Sequence, residues 1–297
     1  MKSKAWTERV MQGVFFIAAC TSVLAVALIC IFLFANGIPA MKEIGFIRFL
    51  TGTQWKPNNN IYGILPMIVG SIYVTAGAVI VGVPIGILTA VFMAMYCPRK
   101  LYRPLKAATE LLAGIPSVVY GFFGLVVLVP WIRSLGRWLK ELGVVRSPGN
   151  GNSILTASLL LGMMILPTII GVTESAIRSV PAQYYEGALA LGATRERSIF
   201  RVIMPAAKSG VIAGIVLGVG RAIGETMAVI MIAGNQPRMP QSLLKGVRTL
   251  TANIVMEMGY AAELHREALI ATGVVLFVFI LIINFSVALL NRRTERE

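Results

Sequence analysis

The chain has 297 residues, of which 57% are hydrophobic and 13% are charged, and its mean hydropathy is +0.78. Apolar blocks of about 20 residues or more recur along it, which is typical of an integral membrane protein and excludes an ordinary soluble domain. The net charge is +14. Without a soluble domain to carry a basic face, this charge does not indicate nucleic-acid binding, and most of it is expected to lie against membrane lipid headgroups.

Six apolar segments are long enough to cross a bilayer, because each holds roughly the 20 apolar residues that a spanning helix needs. In chain order they are Gly13 to Ala35, Leu65 to Tyr96, Ala108 to Trp131, Ser153 to Ala176, Lys208 to Gly234 and Glu267 to Leu290. The first exceeds the apolar core of about 7 to 15 residues of a cleaved signal peptide, so it is predicted to remain as a span. The fold class is therefore all-α, with six transmembrane helices.

The distribution of lysine and arginine predicts the orientation. With the amino terminus in the cytoplasm, the internal segments carry fifteen cations and the outer segments eleven, and Arg221 lies in the membrane. The loop from Pro98 to Ala107 alone carries four cations in ten residues. Because cytoplasmic loops are enriched in Lys and Arg, both termini are predicted to be cytoplasmic. The basic outer loops leave open a second role, the attraction of an anionic solute.

The longest internal loop is predicted to contain two short helices, Pro181 to Leu191 and Thr194 to Met204. Proline suits the first turn of a helix, Gly192 suits a C-terminal cap and Thr194 suits a new N-cap. Two helices lying along the membrane face would form a docking surface. A solvated loop without a partner is the alternative that these residues leave open.

Two charges, Arg221 and Glu225, stand out in the apolar fifth span. A cation at the bilayer centre costs about 2.5 to 3.5 kcal/mol, so it is normally kept only where it faces a partner or a water-filled path. On a helix, both charges fall on the same half as five glycines, opposite a bulky aliphatic face. The glycines are Gly210, Gly214, Gly218, Gly220 and Gly224. Since small residues allow helices to approach closely, the charged pair is predicted to point towards a crowded protein interface.

Two interpretations of this pair remain open from the residues alone. Arg221 and Glu225 are one helical turn apart and could neutralise each other as a structural ion pair. Alternatively, Arg221 offers its guanidinium donors to a passing oxyanion, with Glu225 positioning it or limiting its affinity. In the third span, Ser117 and Tyr120 follow Pro116 and offer hydroxyl donors to the same kind of solute. A proline kink with ordinary packing is the alternative there.

Missing motifs exclude several enzyme classes. The sequence contains no aspartate, and no glycine is followed by lysine, so the phosphate-binding loop GxxxxGK[ST] of an ATP site is absent. The single histidine, His265, rules out the zinc motif HExxH, and no GxSxG nucleophile motif occurs. The chain is therefore predicted not to be an enzyme and to have no catalytic residue, metal or cofactor.

The run EGALALG, Glu186 to Gly192, is followed after nine residues by VIMP, Val202 to Pro205. This spacing resembles the EAA loop of ABC importer permeases, whose pattern is EAA, three residues, Gly, nine residues and Ile-x-Leu-Pro. In that family the loop forms a coupling helix that sits in a cleft of a separate ATPase subunit. The resemblance implies this role for Glu186, Gly187, Ala188, Gly192 and Pro205. Three positions depart from the pattern, with Gly187 for Ala, Val202 for Ile and Met204 for Leu.

Three further stretches are similar to the PstC-type permeases of phosphate importers. They are FLTGTQWKP from Phe49 to Pro57, GIPSVVYG from Gly114 to Gly121 and GRAIGETMA from Gly220 to Ala228. The sister PstA-type permease shares parts of the second and third stretches and differs in the first. In the family, the Arg and Glu of the third stretch are implicated in phosphate passage, and they correspond to Arg221 and Glu225 here.

The resemblance implies a type I ABC importer permease that forms half of a phosphate pathway in the plasma (inner) membrane of a prokaryote. Its expected partners are a PstA-type sister permease, two ATP-binding subunits and an extracytoplasmic phosphate-binding protein. Residues 1–64 would form the first span and an outer loop, and residues 65–290 a five-helix core with a coupling loop at 177–207. The alternatives are the same fold for molybdate or sulfate, a transporter that needs no ATPase, and a membrane scaffold.

Overall fold

The computed structural model describes the backbone of residues 2–294 and the side chains of residues 8 and 10–286. In chain order the helices are α1 (Lys2–Ile44), α2 (Phe46–Thr51), α3 (Leu65–Val91), α4 (Arg99–Gly114), α5 (Ser117–Phe123), α6 (Val129–Glu141), α7 (Ile154–Ser179), α8 (Ala182–Ala190), α9 (Arg195–Ser198), α10 (Met204–Ala206), α11 (Lys208–Gly224), α12 (Met227–Ile232), α13 (Leu250–Met258) and α14 (Glu263–Thr294). Three π-helical segments, Phe92–Tyr96, Gly124–Leu128 and Ile199–Ile203, continue α3, α5 and α9. Strands β1 (Trp55–Lys56) and β2 (Ile61–Tyr62) pair antiparallel.

Five helical segments in the described part of the chain are long and apolar enough to cross a membrane. They are Val10–Ile44, Leu65–Tyr96, Ser117–Glu141, Ile154–Ser179 and Glu263–Ser286. A sixth is possible where Arg195–Ala206 and Lys208–Gly224 meet at a bend of 71°. The predicted all-α membrane architecture is confirmed, and the predicted second span matches at both ends.

The predicted third span, Ala108 to Trp131, is wrong at both ends. The helix breaks at Ile115 and Pro116, whose backbones are extended, with ψ of 126° and 142°. Proline disfavours the helical conformation of the residue before it and provides no N–H for a helical hydrogen bond. Residues before the break belong to α4, an amphipathic helix without a buried residue. The spanning helix begins at Ser117 and continues to Glu141.

The predicted fifth span, Lys208 to Gly234, is not one continuous helix. The helix α11 ends at Gly224, the backbone of Glu225 is extended at φ −68° and ψ 130°, and α12 begins at Met227. The Glu225 side chain stabilises this break, because its Oε1 accepts a hydrogen bond from the Ala228 N–H at 3.1 Å. A carboxylate at this position satisfies an N–H group that has no partner within α12.

The central helices α3 and α7 run parallel and approach closely at glycines. A Cβ on Gly77 would lie 2.3 Å from the Ser158 Oγ, and a Cβ on Gly86 would lie 2.8 Å from Ile169. The helix α11 crosses α7 in the opposite direction. Together with α5 and α12, these helices form the largest apolar core in the described residues. The helices α1 and α14 pack antiparallel and bury a second core together with the β-hairpin.

The two ends of the helical bundle differ. One, the hairpin end, carries β1, β2 and α13, beside the first residues of α3 and α7; for example, the Leu250 N–H donates to the Ser71 Oγ at 3.0 Å. The other, the loop end, carries α8 to α10 beside the last residues of α3 and α7. There the Arg178 Nη2 donates to the Met93 carbonyl at 2.9 Å. The spans therefore connect two chemically distinct faces.

Candidate functional site

Arg221 lies in the last turn of α11 and is half-buried. Its Nη1 donates to the Thr168 Oγ1 of α7 at 3.5 Å, the upper limit for a hydrogen bond. The ion pairs of the described residues all involve other cations. A guanidinium has five N–H donors, so most of the donors of Arg221 are free within the described part of this chain.

Glu225 does not pair with Arg221, so the interpretation of these residues as a self-neutralising ion pair is wrong for this structure. The end of α11 at Gly224 removes the one-turn spacing on which that interpretation depended. The Glu225 carboxylate caps α12 instead, and its backbone carbonyl accepts from the Thr251 Oγ1 at 3.1 Å. Glu225 therefore connects the break in the fifth span to α13 at the hairpin end.

The predicted glycine face of α11 divides into two parts. Gly210, Gly214 and Gly218 pack against α7, and a Cβ on Gly210 would lie only 2.3 Å from the Ala176 Cβ. In contrast, a Cβ on Gly220 or Gly224 would meet no atom of the described residues within 4 Å. The crowded interface predicted for this face is confirmed for its first part only. Arg221 lies in the second part, where α11 borders open space.

Tyr120 is buried, with 8% of its surface exposed, and packs in the same core as Ala222 and Ala228. Its hydroxyl donates to the Leu112 carbonyl at 2.9 Å, across the break between α4 and α5. Arg221 directly precedes Ala222 of that core. Ser117 is half-buried at the start of α5. The structure thus brings Tyr120 and Arg221 into one region, whereas the Tyr120 donor is already occupied by a backbone carbonyl.

The two helices predicted in the long loop are present as α8 and as α9 with its π-helical continuation. The predicted N-cap is confirmed, because the Thr194 Oγ1 accepts from the Arg197 N–H at 3.3 Å. The predicted C-terminal cap is also confirmed, because Gly192 has a φ of +81°, a conformation that favours glycine.

The residues of the EAA-like pattern lie on the surface of this loop. Glu186, Gly187, Gly192 and Pro205 are exposed, and Ala188 is half-buried. A shallow groove of about 430 Å³ runs between the two helices and includes Gly187, Ala188 and Leu191 in its lining. The Leu191 side chain is 90% exposed. This loop thus presents an exposed apolar side chain next to a groove lined mainly by apolar atoms.

Glu174, near the end of α7, is a buried charge that the sequence prediction did not single out. Only 1% of its surface is exposed. Its carboxylate accepts from the Tyr102 hydroxyl at 2.7 Å, the Lys106 Nζ at 2.8 Å and the Arg178 Nε at 2.7 Å. These hydrogen bonds raise the pKa of the Tyr102 phenol and of the Lys106 ammonium above their ordinary values. A signal existed in the sequence, since Glu174 is the only acid in its span and precedes Arg178 by one helical turn.

A second buried carboxylate, Glu257, lies at the hairpin end. It accepts from the Trp55 Nε1 at 2.8 Å, from the Arg248 Nη1 at 2.5 Å, and is 2.9 Å from the His265 Nε2. Burial raises the pKa of the Tyr62 phenol, whose ring stacks on that of His265. The sequence did not reveal this cluster, because Trp55 and Glu257 are 202 positions apart.

Residues 82–296 match the family model described as "Binding-protein-dependent transport system inner membrane component". The chain is 37% identical over 265 residues to the phosphate transport system permease protein PstC of Mesorhizobium japonicum, covering 86% of this chain and 81% of the relative. It is 34% identical over 265 residues to the probable phosphate transport system permease protein PstC of Methanocaldococcus jannaschii, covering 85% and 84%. A probable ABC transporter permease protein YqgH of Bacillus subtilis is 38% identical, covering 93% and 90%.

Solved structures share the fold at lower identity. A chain of the inward-facing MetNI methionine ABC transporter superposes with a TM-score of 0.60 at 19% identity, covering 81% of this chain and 99% of that one. A chain of a bacterial alginate ABC transporter, in complex with an alginate-bound periplasmic protein, gives 0.61 at 18% identity and 94% of each chain. Permeases of this class act with a substrate-binding protein and separate ATPase subunits, and are not themselves enzymes. This multi-pass membrane protein therefore belongs to the family of binding-protein-dependent transport system inner membrane components and, within it, to the PstC-type permeases.

Proposed function

We propose that this chain is a permease subunit of an ATP-driven phosphate importer in the plasma membrane of a prokaryote, forming half of the pathway with a PstA-type sister permease. The observation that carries the proposal is Arg221, a cation inside a spanning segment whose donors are largely free and which borders open space. An unpaired cation in a membrane is costly, so it is retained where a mobile anion uses it. The similarity to relatives named as phosphate permeases supports phosphate as that anion.

The guanidinium suits this role because its planar fork can donate two parallel hydrogen bonds to a phosphate. Glu225 contributes indirectly, since its carboxylate fixes the break that places Arg221 at the end of α11. Phosphate would pass Arg221 at the border with the sister subunit, where Gly220 and Gly224 leave space. Ser117 would line the same region and offer its hydroxyl as a donor, whereas Tyr120 would support the wall behind it, because its own donor is held by the Leu112 carbonyl.

The energy would come from two ATP-binding subunits docked at the loop end, with α8 as the coupling helix. The exposed Leu191 and the groove beside Gly187 and Ala188 support this docking. Leu191 could insert into a pocket of the partner, and the groove could receive a side chain from it. The loop end would face the cytoplasm, together with both termini, and the hairpin end would receive a phosphate-binding protein from outside. The greater number of lysines and arginines assigned to the loop-end segments supports this orientation.

The test is phosphate uptake by the complete complex reconstituted in proteoliposomes with its binding protein. We expect Arg221→Ala to assemble normally and to lower uptake by about tenfold to a hundredfold, since hydrogen bonds to a charged group contribute about 1.5–3 kcal/mol each. Arg221→Lys should retain part of the activity, because it keeps the charge and loses the fork. Arg103→Ala, which removes an exposed arginine of α4, is the matched control. Normal uptake by Arg221→Ala would remove the proposed role.

Competition separates phosphate from other oxyanions. Excess sulfate or molybdate should leave both uptake and binding-protein-stimulated ATP hydrolysis unchanged. Inhibition by either anion at the concentration at which unlabelled phosphate inhibits would instead identify the chain as a permease for that oxyanion. Uptake without the ATPase subunits would favour an autonomous transporter.

A further inference from the structure

We propose that Glu174 is a positioning residue that couples movement of the α8 loop to the helices around Arg221. The proposal rests on the proposed function, since it requires an ATPase at the loop end and a solute near Arg221. It assigns to Glu174 the task of holding the ends of α3, α4 and α7 together as one body, so that displacement of α8 moves all three.

Glu174 joins two helices by direct bonds. It accepts from Tyr102 and Lys106 of α4, one turn apart, and from Arg178 of its own helix. All three bonds are 2.7 to 2.8 Å long, and the carboxylate is almost completely removed from solvent. Short charge-assisted bonds to both carboxylate oxygens, two on Oε1 and one on Oε2, define one geometry and resist rotation of α4 against α7.

Arg178 extends the connection to a third helix. While its Nε donates to Glu174, its Nη2 donates to the Met93 carbonyl in the π-helical end of α3, and its guanidinium lies 4.4 Å from the centre of the Tyr102 ring. One arginine thus contacts α3, α4 and α7 at once. The hydrogen bond to α3 is accepted by a backbone carbonyl, so a movement of Arg178 would shift the helix backbone and not only a side chain.

The segment that follows α8 contacts the same π-helical end of α3. The Arg195 guanidinium, at the start of α9, donates to the Met95 carbonyl and lies 4.6 Å from the centre of the Tyr96 ring. Below these contacts, Val91, Ile177 and Ile199 pack in one apolar cluster. The segments on both sides of α8 therefore contact Phe92–Tyr96, the end of α7 through Arg178 and the start of α9 through Arg195. A displacement of α8 is expected to be transmitted to Phe92–Tyr96 through these contacts.

From α4 the path continues to the region of Arg221. The helix α4 has no buried residue, so no fully buried side chain anchors it against α7. Hydrogen bonds connect it to the core at both ends, to Glu174 near its start and from Tyr120 to the Leu112 carbonyl near its end. Tyr120 in turn belongs to the same apolar core as Ala222, the residue after Arg221. Movement of α4 would therefore reach the wall beside Arg221.

Stability alone is a weak reason for this arrangement. Burying a carboxylate with several cations is often no more stabilising than apolar packing of the same volume, because the charges lose their hydration. What the polar cluster supplies is a single defined geometry among three helices, which suits the transmission of a movement.

The test uses the complete complex with wild-type phosphate uptake as the reference, and it measures phosphate imported per ATP hydrolysed. We expect Glu174→Gln to assemble and to hydrolyse ATP at a rate near that of the wild type, while the ratio of uptake to hydrolysis falls at least tenfold. Glu110→Gln, which changes an exposed glutamate on α4, is the matched control and should keep the wild-type ratio. A wild-type ratio in Glu174→Gln, or an equal fall in uptake and hydrolysis, would overturn the proposal.

Milder variants cover the case in which Glu174→Gln fails to assemble. Tyr102→Phe and Lys106→Gln each remove one donor and should lower the ratio partially, and Arg178→Lys should lower it by losing the bond to Met93. If these variants assemble with an unchanged ratio, or if none of them assembles, Glu174 serves folding alone and the proposal is wrong. If the wild type and Glu110→Gln import no phosphate, the proposed function fails instead, so the two outcomes are distinguishable.

Discussion

At the scale of single residues, the charged side chains inside the helical bundle differ in how many hydrogen-bond partners they have. Glu174 and Glu257 each accept three partners, whereas Arg221 makes one long hydrogen bond in the described part of the chain. A buried carboxylate needs such partners to remain ionised. Arg221 has no such set of partners among the described residues and borders open space, which is why the proposed pathway is placed there.

The buried pair of Glu257 and Arg248 leads to a stability prediction. We expect Glu257→Gln to destabilise the subunit by about 3–5 kcal/mol, because it leaves the guanidinium of Arg248 buried without its carboxylate. The measurement is the apparent melting temperature of the purified protein in detergent. Glu267→Gln, which changes an exposed glutamate of α14, should leave it unchanged. Equal melting temperatures for the two variants would show that solvent compensates Arg248.

At the scale of secondary structure, the departures from regular helices lie where the proposed pathway needs them. The break at Pro116 separates α4 from α5, the break at Glu225 separates α11 from α12, and the π-helical end of α3 presents its carbonyls to Arg178 and Arg195. Each frees backbone groups that then bind a side chain or a neighbouring segment. In a regular helix the same N–H and C=O groups would form hydrogen bonds within the helix.

The glycines of α11 provide a test of the packing between elements. Gly210→Ala should destabilise the subunit by about 1–3 kcal/mol, since the new Cβ would meet the Ala176 Cβ at 2.3 Å and only separation of α11 from α7 relieves the contact. Gly220→Ala makes the same chemical change where no described atom lies within 4 Å, and it should have little effect. Comparison of the two apparent melting temperatures checks the prediction. A similar loss in both would mean that packing against Ala176 does not determine the result, since replacing glycine with alanine inside a helix by itself favours folding.

At the scale of the whole molecule, the spans separate two faces with different tasks. The hairpin end is stabilised by the aromatic and charged cluster around Glu257. The loop end presents exposed groups such as Leu191, and the hydrogen bonds of Glu174 stabilise the helix ends beneath them. An importer must receive its solute on one face and its energy on the other. The different construction of the two ends agrees with that division.

The orientation of these faces can be tested by thiol labelling. With Cys20 and Cys30 of α1 replaced by serine, the half-buried Cys97 at the loop end should react with a membrane-impermeant maleimide in inside-out vesicles and resist it in intact spheroplasts. When Cys97 is also replaced, Lys140→Cys on α6 should show the opposite pattern. The reverse sidedness for both positions would place the α8 loop outside, which contradicts docking of an ATPase there.

Much of the architecture followed from the sequence because its signals are local. Hydrophobic length predicted the helical membrane fold, and cap residues predicted the helices flanking Gly192, because these effects act within one or two helical turns. The errors have a local origin too. Hydropathy predicts a third span across Pro116 because it does not register that proline interrupts the backbone. It likewise predicts one continuous helix through Glu225, the residue at which the helix ends.

The sequence by itself determined the membrane-spanning class, the lack of an ATP site, and the candidate residues Arg221 and Glu225, because composition and motif spacing are properties of the chain. Only the tertiary structure decided which of these charges have partners. It separated Arg221 from Glu225 by a break in the helix, and it assembled the partners of Glu174 and Glu257 from distant segments. Such pairings depend on how helices cross and on which groups lose water, and neither can be read from the order of residues.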